Sequence, residues 1–235
     1  MKKITVLLPM YNEEKSAEPT INLVTKRMKR DNIPHEILVV NDGSIDKTGE
    51  VLKGVRKRNK QVRVITHGTN IGLGGALETG FKNARTDLIV TMDADLTQDP
   101  IHIAEMLREI ENGHDMIIAS RYAKGGGMSG VPLHRVFVSR FANIAFAVLF
   151  GIPVRDMTSG FRCYKRSMLR GITVKDKGFA SQLEILVKYN KKNPKIKEIP
   201  FVLVSRTTGE SKFDLPKVAI RYFMTVQRLL KIARN

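Results

Sequence analysis

The stretch Leu88-Ile89-Val90-Thr91-Met92-Asp93-Ala94-Asp95 decides the fold class, because an apolar run ends there in two carboxylates. The run Leu88–Met92 predicts a buried strand. Residues two apart in an extended segment point to the same side, so Asp93 and Asp95 are predicted to face one cleft. Two such carboxylates repel each other unless a cation lies between them, and hard oxygen ligands favour Mg²⁺ or Mn²⁺ over zinc. The alternative interpretation is a turn that leads into a helix beginning at Asp99-Pro100.

Short β-branched runs alternate with helical patterns on both sides of this stretch, which predicts βαβ units and a parallel sheet with helices on both faces. The other predicted strands are Ile4–Leu8, Glu36–Val40, Val62–Thr66 and Met116–Ala119, and the predicted helices are Pro19–Arg30, Lys47–Arg58, Gly75–Ala84 and Pro100–Glu111. The second half is less regular, with helices predicted over Val131–Gly151, Phe179–Asn190 and Leu215–Arg234 and a strand over Ile196–Val204. We find neither a repeat nor a linker, so we expect one α/β domain over residues 1–235.

Three polar clusters follow predicted strands, and ligands of open parallel sheets bind at the carboxyl ends of the strands. The clusters are Pro9-Met10-Tyr11-Asn12-Glu13, Asn41-Asp42-Gly43-Ser44 and Asp93-Ala94-Asp95. We therefore expect all three at one rim of the sheet. Taken alone, each of the first two is also typical of an ordinary turn.

The charge of the chain restricts the function further. The 235 residues carry 40 Lys and Arg against 23 Asp and Glu, a net charge of +17, which attracts nucleotides, nucleic acid or an anionic membrane. A hydrophobic content of 42% excludes wholesale disorder, and one cysteine excludes a disulfide framework. A basic nucleic-acid-binding α/β protein remains a remote alternative, but we find no nucleic-acid motif, and an acidic rim opposes a polyanion.

The order of the three clusters resembles the family 2 inverting glycosyltransferases of the GT-A fold. Ser120-Arg121-Tyr122, Ser159-Gly160-Phe161-Arg162 and Gly209-Glu210-Ser211-Lys212 resemble the polyprenyl-phosphate branch, which includes the dolichyl-phosphate mannosyltransferases. The similarity runs from about residue 3 to residue 230. It implies transfer of a hexose with inversion to a polyprenyl (dolichyl) phosphate, with GDP-mannose as donor. UDP-glucose, or the reaction of another family 2 enzyme, is the alternative.

The resemblance also implies roles for individual residues. The nucleotide-sugar donor would be bound by Pro9, Tyr11, Glu13, Val40, Asp42, Asp93, Ala94, Asp95, Arg121, Arg206 and Lys212. The catalytic group would comprise Asp95, Arg121 and Arg135, the two arginines reaching the sugar or the acceptor phosphate. Arg forks bind phosphate oxygens bidentately, and Lys supplies point charge. The implied division places the donor in residues 1–122 and the acceptor and membrane in residues 123–235.

The chain departs from the family pattern at three places. The family often has Gln two residues beyond the second Asp, whereas Thr97 stands here and Gln98 follows. Either Gln98 joins Asp93 and Asp95 as a metal ligand, or the metal has one protein ligand fewer. Ser181 and Thr208 stand where some relatives have basic residues. The late helix has Glu184 without a following Asp, so we predict a phosphate acceptor that needs no base, with Glu184 a positioning or structural residue partnered with an Arg. The alternative is that Glu184 is the base for a hydroxyl acceptor.

The membrane is the last partner that the sequence indicates. We find no signal peptide and no run of the roughly 18–20 apolar residues that a spanning helix needs, since Phe141–Ile152 is too short. We therefore expect a cytoplasmic protein, peripheral at a membrane, with or without an anchoring subunit. The stripe Phe137, Phe141, Ile144, Ala145, Val148 and Leu149 predicts either an acceptor groove or plain core. Lys217, Arg221, Arg228, Lys231 and Arg234 form a basic helix face suited to anionic headgroups or to water.

Overall fold

A seven-stranded sheet forms the centre of the protein in this computed structural model, which describes residues 2–205 and 215–233. Its strands, in chain order, are β1 (Ile4–Met10), β2 (His35–Asn41), β3 (Val62–Thr66), β4 (Leu88–Thr91), β5 (Met116–Ser120), β7 (Arg162–Lys165) and β8 (Ile196–Pro200). A second sheet pairs β6 (Gly127–Ser129) with β9 (Val202–Val204). The large sheet has the order β3-β2-β1-β4-β7-β5-β8, and every neighbouring pair is parallel except the two that include β7.

Helices cover both faces of this sheet, which confirms the predicted α/β class. They are α1 (Ala17–Arg30), α2 (Thr48–Arg58), α3 (Leu73–Asn83), α4 (Ile103–Glu111, preceded by a 3-10 turn at Pro100–His102), α5 (Leu133–Phe150), α6 (Arg166–Leu169), α7 (Ser181–Asn190) and α8 (Leu215–Ala233). The five strands predicted in the first half are present, and so are its four helices. The helices predicted in the second half are present as α5, α7 and α8.

The core lies in two layers because side chains alternate along each strand. Val6 and Leu8 of β1 belong to the layer that contains residues of α1, α2 and α4, whereas Leu7 belongs to the layer beneath α3 and α7. All three side chains are completely buried. Full burial of one such side chain stabilises the fold by about 1.5–3 kcal/mol.

The structure differs from the prediction at two strands. The strand expected over Ile196–Val204 is divided, because Phe201 leaves the ladder and packs its ring edge-to-face against His102 and Phe161. The chain then continues in β9 of the small sheet. The strand β7 was not predicted, and it lies between β4 and β5, antiparallel to both.

Helix α5 corrects the expectation that the chain has no apolar helix of membrane-spanning length. It has 18 residues and, by length and composition, it is the one helix in the described part of the chain that could cross a membrane. Asn143 is its only fully buried residue. The stripe predicted as groove or core is therefore mainly exposed: Phe137, Phe141, Ile144, Val148 and Leu149 are all large apolar side chains at the surface.

Candidate active site

The three polar clusters meet at one rim, as predicted, because β2, β1 and β4 are adjacent and parallel. The segments that follow these strands are joined by hydrogen bonds. The backbone N–H of Asp42 donates to the carbonyl of Met10 at 2.8 Å, and that of Asn12 donates to Ser44 Oγ at 3.0 Å. Thr20 Oγ1 on α1 donates to the carbonyl of Ala94 at 3.0 Å. Residues that are far apart in the chain therefore form one continuous edge.

The residues predicted to bind the nucleotide base lie at the β1–β2 end of this rim. Pro9 is half-buried and is paired with Val40, which is fully buried. Tyr11 and Glu13 are half-buried in the loop after β1. Glu13 Oε2 accepts a hydrogen bond from Ser16 Oγ at 2.5 Å, which fixes this carboxylate at the start of α1. Pro9, Tyr11 and Glu13 thus remain partly accessible at the rim, while Val40 forms its floor.

Asp42 is 3% exposed, and its carboxylate organises a loop that the sequence did not indicate. It accepts hydrogen bonds from His67 Nδ1 at 2.7 Å and from the backbone N–H groups of Ile71 at 3.0 Å and Gly72 at 2.7 Å. His67 also contacts Thr79 Oγ1 at 3.0 Å. A carboxylate offers about four acceptor positions, so three of those on Asp42 are engaged by this loop. Asp42 shapes the end of the rim before any ligand binds.

Asp93 and Asp95 follow β4 directly, in a turn where Leu96 has a left-handed φ of 63°. Asp95 Oδ1 accepts hydrogen bonds from the backbone N–H of Thr97 at 3.1 Å and from Thr97 Oγ1 at 2.6 Å. Both ends of the Gln98 side-chain amide contact Asp93, and metal ligation by Gln98 stays a prediction. Its Nε2 donates to Asp93 Oδ2 at 2.6 Å, and its Oε1 accepts from the backbone N–H of Asp93 at 2.9 Å. Gln98 therefore orients Asp93, which is a different contact from the metal ligation predicted for it.

The donor set at this turn fits a hard divalent cation. Among the described residues there is no group of three or more His, Cys, Asp or Glu side chains able to hold a metal. Asp93 and Asp95, two residues apart in the turn after β4, stay the two carboxylates predicted to hold a cation. This number suits Mg²⁺ or Mn²⁺, which are commonly held by one or two carboxylates together with substrate phosphates and water. A closed structural zinc site requires about four protein ligands instead.

Gly160 brings the segment before β7 against Asp93. A Cβ atom added at Gly160 would lie 3.5 Å from Asp93 Oδ1 and 3.1 Å from Gln182 Nε2. Thr91 Oγ1 donates to the carbonyl of Gly160 at 2.7 Å and fixes this approach. The Ser159–Arg162 motif thus lies beside the carboxylate pair, and Gly160 leaves room there that a side chain would fill.

Arg121 forms a buried ion pair that sequence reasoning missed. Its Nε and Nη2 donate to the two oxygens of Asp156 at 2.8 and 2.7 Å, and Nη2 also donates to Thr158 Oγ1 at 2.8 Å. Asp156 is fully buried. Burial alone would raise the pKa of Asp156, but the charge and hydrogen bonds of Arg121 outweigh it and hold that pKa below its usual range. Among the hydrogen bonds of the described residues, those of the Arg121 side chain use Nε and Nη2.

Of the other predicted cationic residues, the structure describes Arg135 alone. Arg135 is exposed in the first turn of α5, where its backbone N–H donates to the carbonyl of Pro132. No hydrogen bond or ion pair in the described part of the chain joins its side chain to Asp93, Asp95 or Arg121. Arg206 and Lys212, with the whole Gly209–Lys212 motif, lie outside the described residues.

Glu184 of α7 is fully buried and is bound from several sides. It accepts hydrogen bonds from Lys188 Nζ at 2.6 Å, from Arg228 Nη2 of α8 at 2.8 Å and from the backbone N–H groups of Lys175 and Asp176. Burial alone would raise the pKa of Glu184, but these donors lower it below the usual value. The predicted arginine partner is present as Arg228, and the structural role of Glu184 stays a prediction. The same contact turns Arg228 inward, away from the basic outer face expected for α8.

The fold and the rim together define a glycosyltransferase of the GT-A class, with the predicted nucleotide contacts after β1 and β2 and an acidic turn after β4. The chain belongs to the family described as glycosyl transferase family 2, whose sequence pattern matches residues 5–173. This confirms the family and the class of enzyme that the motifs indicated.

Three curated relatives cover most of the chain. The dolichol-phosphate mannosyltransferase of Pyrococcus furiosus is 34% identical over 97% of this chain, which spans 64% of that protein. The undecaprenyl-phosphate mannosyltransferase of Micrococcus luteus is 30% identical over 90% of this chain and 88% of its own length. The polyprenol monophosphomannose synthase of Mycolicibacterium smegmatis is 30% identical over 91% of this chain and 82% of its own length.

Solved structures share the fold at lower identity. The glucosyl-3-phosphoglycerate synthase of Mycobacterium tuberculosis, crystallised with Mn²⁺, uridine diphosphate and phosphoglyceric acid, superposes with a TM-score of 0.72. It is 20% identical, and the match covers 99% of this chain and 78% of that chain. The same synthase with Mn²⁺ and UDP-glucose gives a TM-score of 0.70 at 18% identity, over 98% of this chain and 78% of that chain. At this identity the likeness establishes the GT-A architecture.

Proposed function

We propose that the chain transfers mannose from GDP-mannose, with inversion, to a polyprenyl phosphate such as dolichyl phosphate. The three curated relatives carry names for transfer of mannose to a lipid phosphate, and they support this choice. UDP-glucose remains the second donor to test, because structural neighbours were crystallised with it. Residues 1–122 would bind the donor, and residues 123–235 the acceptor.

The donor would lie along the rim from β2 to β4. Pro9, Tyr11 and Glu13 would contact the base and ribose above Val40 and Asp42. The diphosphate would then reach Asp93, Ala94 and Asp95, and a bound Mg²⁺ or Mn²⁺ would neutralise the charge that grows on it as it leaves. Arg121 Nη1, held in place by Asp156, would supply a fixed positive charge that needs no reorganisation during the reaction.

The reaction would be a single displacement. An oxygen of the lipid phosphate forms a bond to the anomeric carbon on the face opposite the nucleoside diphosphate, while the bond from that carbon to the diphosphate breaks. The nucleophile is already an anion near neutral pH, so no proton has to be removed. Two further phosphate contacts are proposed on the resemblance alone. They are Arg206 and, in the Gly209–Lys212 motif, Lys212.

The burial of Glu184 carries the assignment of the acceptor. An acceptor hydroxyl loses its proton as it attacks, and the base that takes the proton must come within hydrogen-bond reach of it. Glu184 is the acidic residue that α7 offers for this task, and it is enclosed by Lys188, Arg228 and two backbone N–H groups. A carboxylate placed in this way holds the local structure together. A phosphate acceptor suits a site whose α7 carboxylate is enclosed, because a phosphate anion needs no base.

The lipid acceptor requires a membrane, and we place the protein at the cytoplasmic face of one, as a peripheral enzyme, with or without an anchoring subunit. Helix α8, like α5, has exposed apolar side chains, namely Ile220, Phe223 and Met224. The two helices are joined by stacking of Phe146 on Tyr222, with ring centroids 5.3 Å apart. Apolar side chains on one surface of a strongly basic protein are typical of helices that lie in the bilayer interface.

A transfer assay tests this function. The full chain would be incubated with GDP-mannose, UDP-glucose or UDP-GlcNAc, with polyprenyl phosphate in mixed vesicles, and with Mn²⁺, Mg²⁺ or EDTA. We expect a mannosyl lipid of inverted anomeric configuration, formed with metal and absent with EDTA. Transfer to a free sugar hydroxyl but not to polyprenyl phosphate would overturn the proposal. Preference for UDP-glucose would contradict GDP-mannose as the donor but would still agree with polyprenyl phosphate as the acceptor.

A further inference from the structure

Gln182 is a polar side chain that the fold buries almost completely, at the start of α7. It is only 4% exposed. Its amide oxygen Oε1 is buried and has no hydrogen-bond partner in the part of the chain that the structure describes. A buried acceptor left unpaired destabilises a fold, and an apolar side chain of the same size would not carry this cost. Packing alone therefore does not explain an amide at this position.

The amide of Gln182 lies beside the acidic turn after β4. A Cβ atom added at Gly160 would lie 3.1 Å from Gln182 Nε2, 3.5 Å from Asp93 Oδ1 and 3.7 Å from Asp93 Oδ2. The amide and the carboxylate thus border the same space, which Gly160 leaves open because it has no side chain. Asp93 and Gly160 are themselves half-buried, so this space lies at the edge of the rim and not in the core.

Buried hydrogen bonds hold the backbone of Gln182 in place. Arg162 is fully buried, and its Nη1 donates to the carbonyl of Gln182 at 2.9 Å. Nη2 of the same guanidinium donates to the carbonyl of Met157 at 2.8 Å. The start of α7 is therefore joined to the segment that precedes β7. An amide presented from a fixed backbone loses little conformational freedom when a ligand binds to it.

The chemistry of a carboxamide indicates which part of a nucleotide sugar it suits. Its nitrogen donates and its oxygen accepts, and the terminal torsion of Gln is broad and roughly two-fold, so either atom can face the open space. A sugar hydroxyl matches both atoms because it can donate and accept. The oxygens of an ionised diphosphate only accept, so they would leave Oε1 without a donor.

We propose that the carboxamide of Gln182 binds a hydroxyl of the transferred hexose and helps to select that sugar. The inference rests on the proposed function, in which the diphosphate lies at Asp93 and Asp95, so that the hexose attached to it lies next to this turn. A donor without the contacted hydroxyl would leave the buried amide unpaired. Sites built to bind a hydroxyl reject analogues that lack it for this reason.

Binding of GDP and of GDP-mannose to the full chain, with Mn²⁺ and without acceptor, tests the contact. Gln182→Met keeps the length of the side chain and removes the amide. We expect this variant to bind GDP as the wild type does and GDP-mannose about 10-fold more weakly, the usual order of magnitude for one lost hydrogen bond to a buried group. Its melting temperature should equal or exceed that of the wild type, because the unpaired oxygen is gone.

Two further variants accompany this measurement. Gln61→Met is the matched control, since Gln61 is exposed just before β3, and it should change neither affinity. Gln182→Asn keeps an amide but withdraws it by one methylene, and it should show the same selective loss for GDP-mannose. The second variant keeps the test decisive if Met at position 182 disturbs the packing of α7.

Donors that each lack one hydroxyl of the hexose identify the contacted group. One of them should bind the wild type about 10-fold more weakly than the parent donor does. The same donor should show little further loss with Gln182→Met, because both changes remove one shared interaction. Equal penalties in the two proteins for every such donor would overturn the proposal.

The remaining outcomes assign the amide to another role. Equal weakening of GDP and GDP-mannose by Gln182→Met would place the amide on the diphosphate or the metal, and a loss confined to the KM for polyprenyl phosphate would place it on the acceptor. Either result would overturn the sugar contact, as would a lower melting temperature with unchanged sugar binding. A wild type that binds UDP-glucose instead would be compared with UDP in the same way. A wild type that binds neither nucleotide sugar would contradict the proposed function itself, before any variant is compared.

Discussion

We predict that the carboxylate of Asp95 contributes to a ligand site more than to packing, since it lies at a strand end and bonds within its own turn. We expect Asp95→Asn to reduce transfer by at least about 100-fold, because loss of one charge-stabilising group commonly costs that much. Thermal melting should change little. Initial rates at saturating Mn²⁺ measure the effect.

Asp99→Asn is the matched control for this variant. Asp99 is an exposed Asp in the same loop, and its Oδ1 caps the 3-10 turn by accepting from the N–H of Ile101 at 2.9 Å. Asn caps a helix start about as well as Asp does, so activity and stability should both persist. Near wild-type turnover in Asp95→Asn, together with insensitivity to EDTA, would remove the metal from the mechanism.

Glu184 allows a separation of structural and chemical roles. We expect Glu184→Gln to lower the free energy of unfolding by about 2–4 kcal/mol, because Lys188 and Arg228 lose a buried counter-charge. The folded fraction should still transfer sugar to polyprenyl phosphate with an unchanged pH profile. Chemical denaturation and rates below the melting temperature provide the two measurements.

The exposed Glu111 supplies the control, since Glu111→Gln removes the same charge outside any buried network. Complete loss of transfer in a folded Glu184→Gln, with recovery at high pH, would identify Glu184 as a base and contradict a phosphate acceptor.

Individual residues show how much of the candidate site can be predicted from the sequence. Asp93 and Asp95 were recognisable because two carboxylates end an apolar run. The pairing of Asp156 with Arg121 was not, since the two residues are 35 positions apart and lie on segments whose contact depends on β7. A lone acid between Arg155 and Met157 was the available signal, and it does not name a partner. Burial decides such pairings, and burial follows from the whole fold.

At the scale of elements, α5 offers a test that uses one residue type at two positions. Phe141 is 75% exposed, whereas Phe146 stacks on Tyr222 of α8. We expect Phe141→Ser to weaken vesicle binding several-fold with little change in melting temperature, because the lost apolar area is exposed to the bilayer interface. Flotation with vesicles measures the binding.

Phe146→Ser should behave in the opposite way, with a stability loss of about 2 kcal/mol or more, as is usual when a packed aromatic side chain is truncated. Equal vesicle binding of Phe141→Ser and the wild type would exclude this face of α5 from the membrane contact.

The strands show why element prediction was uneven. β1, β2 and β4 are buried on both faces, so their sequences are continuous apolar runs that can be recognised alone. β7 reads Arg-Cys-Tyr-Lys, and such a pattern does not distinguish a central strand from a surface segment. Its place depends on β4 and β5 as antiparallel partners. The division at Phe201 likewise depends on the rings of His102 and Phe161.

For the whole molecule, the buried carboxylates predict the response to acid. The pKa values of Glu36, Asp115, Asp156 and Glu184 are lowered in the fold by their cationic partners and hydrogen bonds, which outweigh burial. A lowered pKa contributes stability that is complete above the unfolded value, about 4, and is lost as the pH falls through the folded value. The free energy of unfolding should therefore fall steeply below about pH 4, after a smaller decline between about pH 7 and 5, because burial lowers the pKa values of His35 and His102.

Urea unfolding as a function of pH measures this dependence. Asp156→Asn should be less stable at neutral pH and should show a shallower acid slope than the wild type, whereas the exposed Glu50→Gln should keep the wild-type slope. Repetition at high salt separates the self-repulsion of a chain with net charge +17 from the site-specific part. If Asp156→Asn showed the same acid slope as the wild type, the ion pair of Arg121 with Asp156 would be excluded as a cause of the loss of stability in acid.

The antiparallel strand β7 also has a consequence for the order in which the protein can fold during synthesis. β5 has only β7 and β8 as neighbours in the described sheet, and both come later in the chain. A ribosome must deliver residues 162–165 before β5 gains its first partner, although β1 to β4 can already pair with one another. Residues 1–122, proposed to bind the donor, thus keep their last strand unpaired until part of residues 123–235, proposed to bind the acceptor, has been synthesised. Arg121, at the end of that strand, gains its buried partner only with Asp156, so we expect the proposed donor and acceptor sides to become competent together.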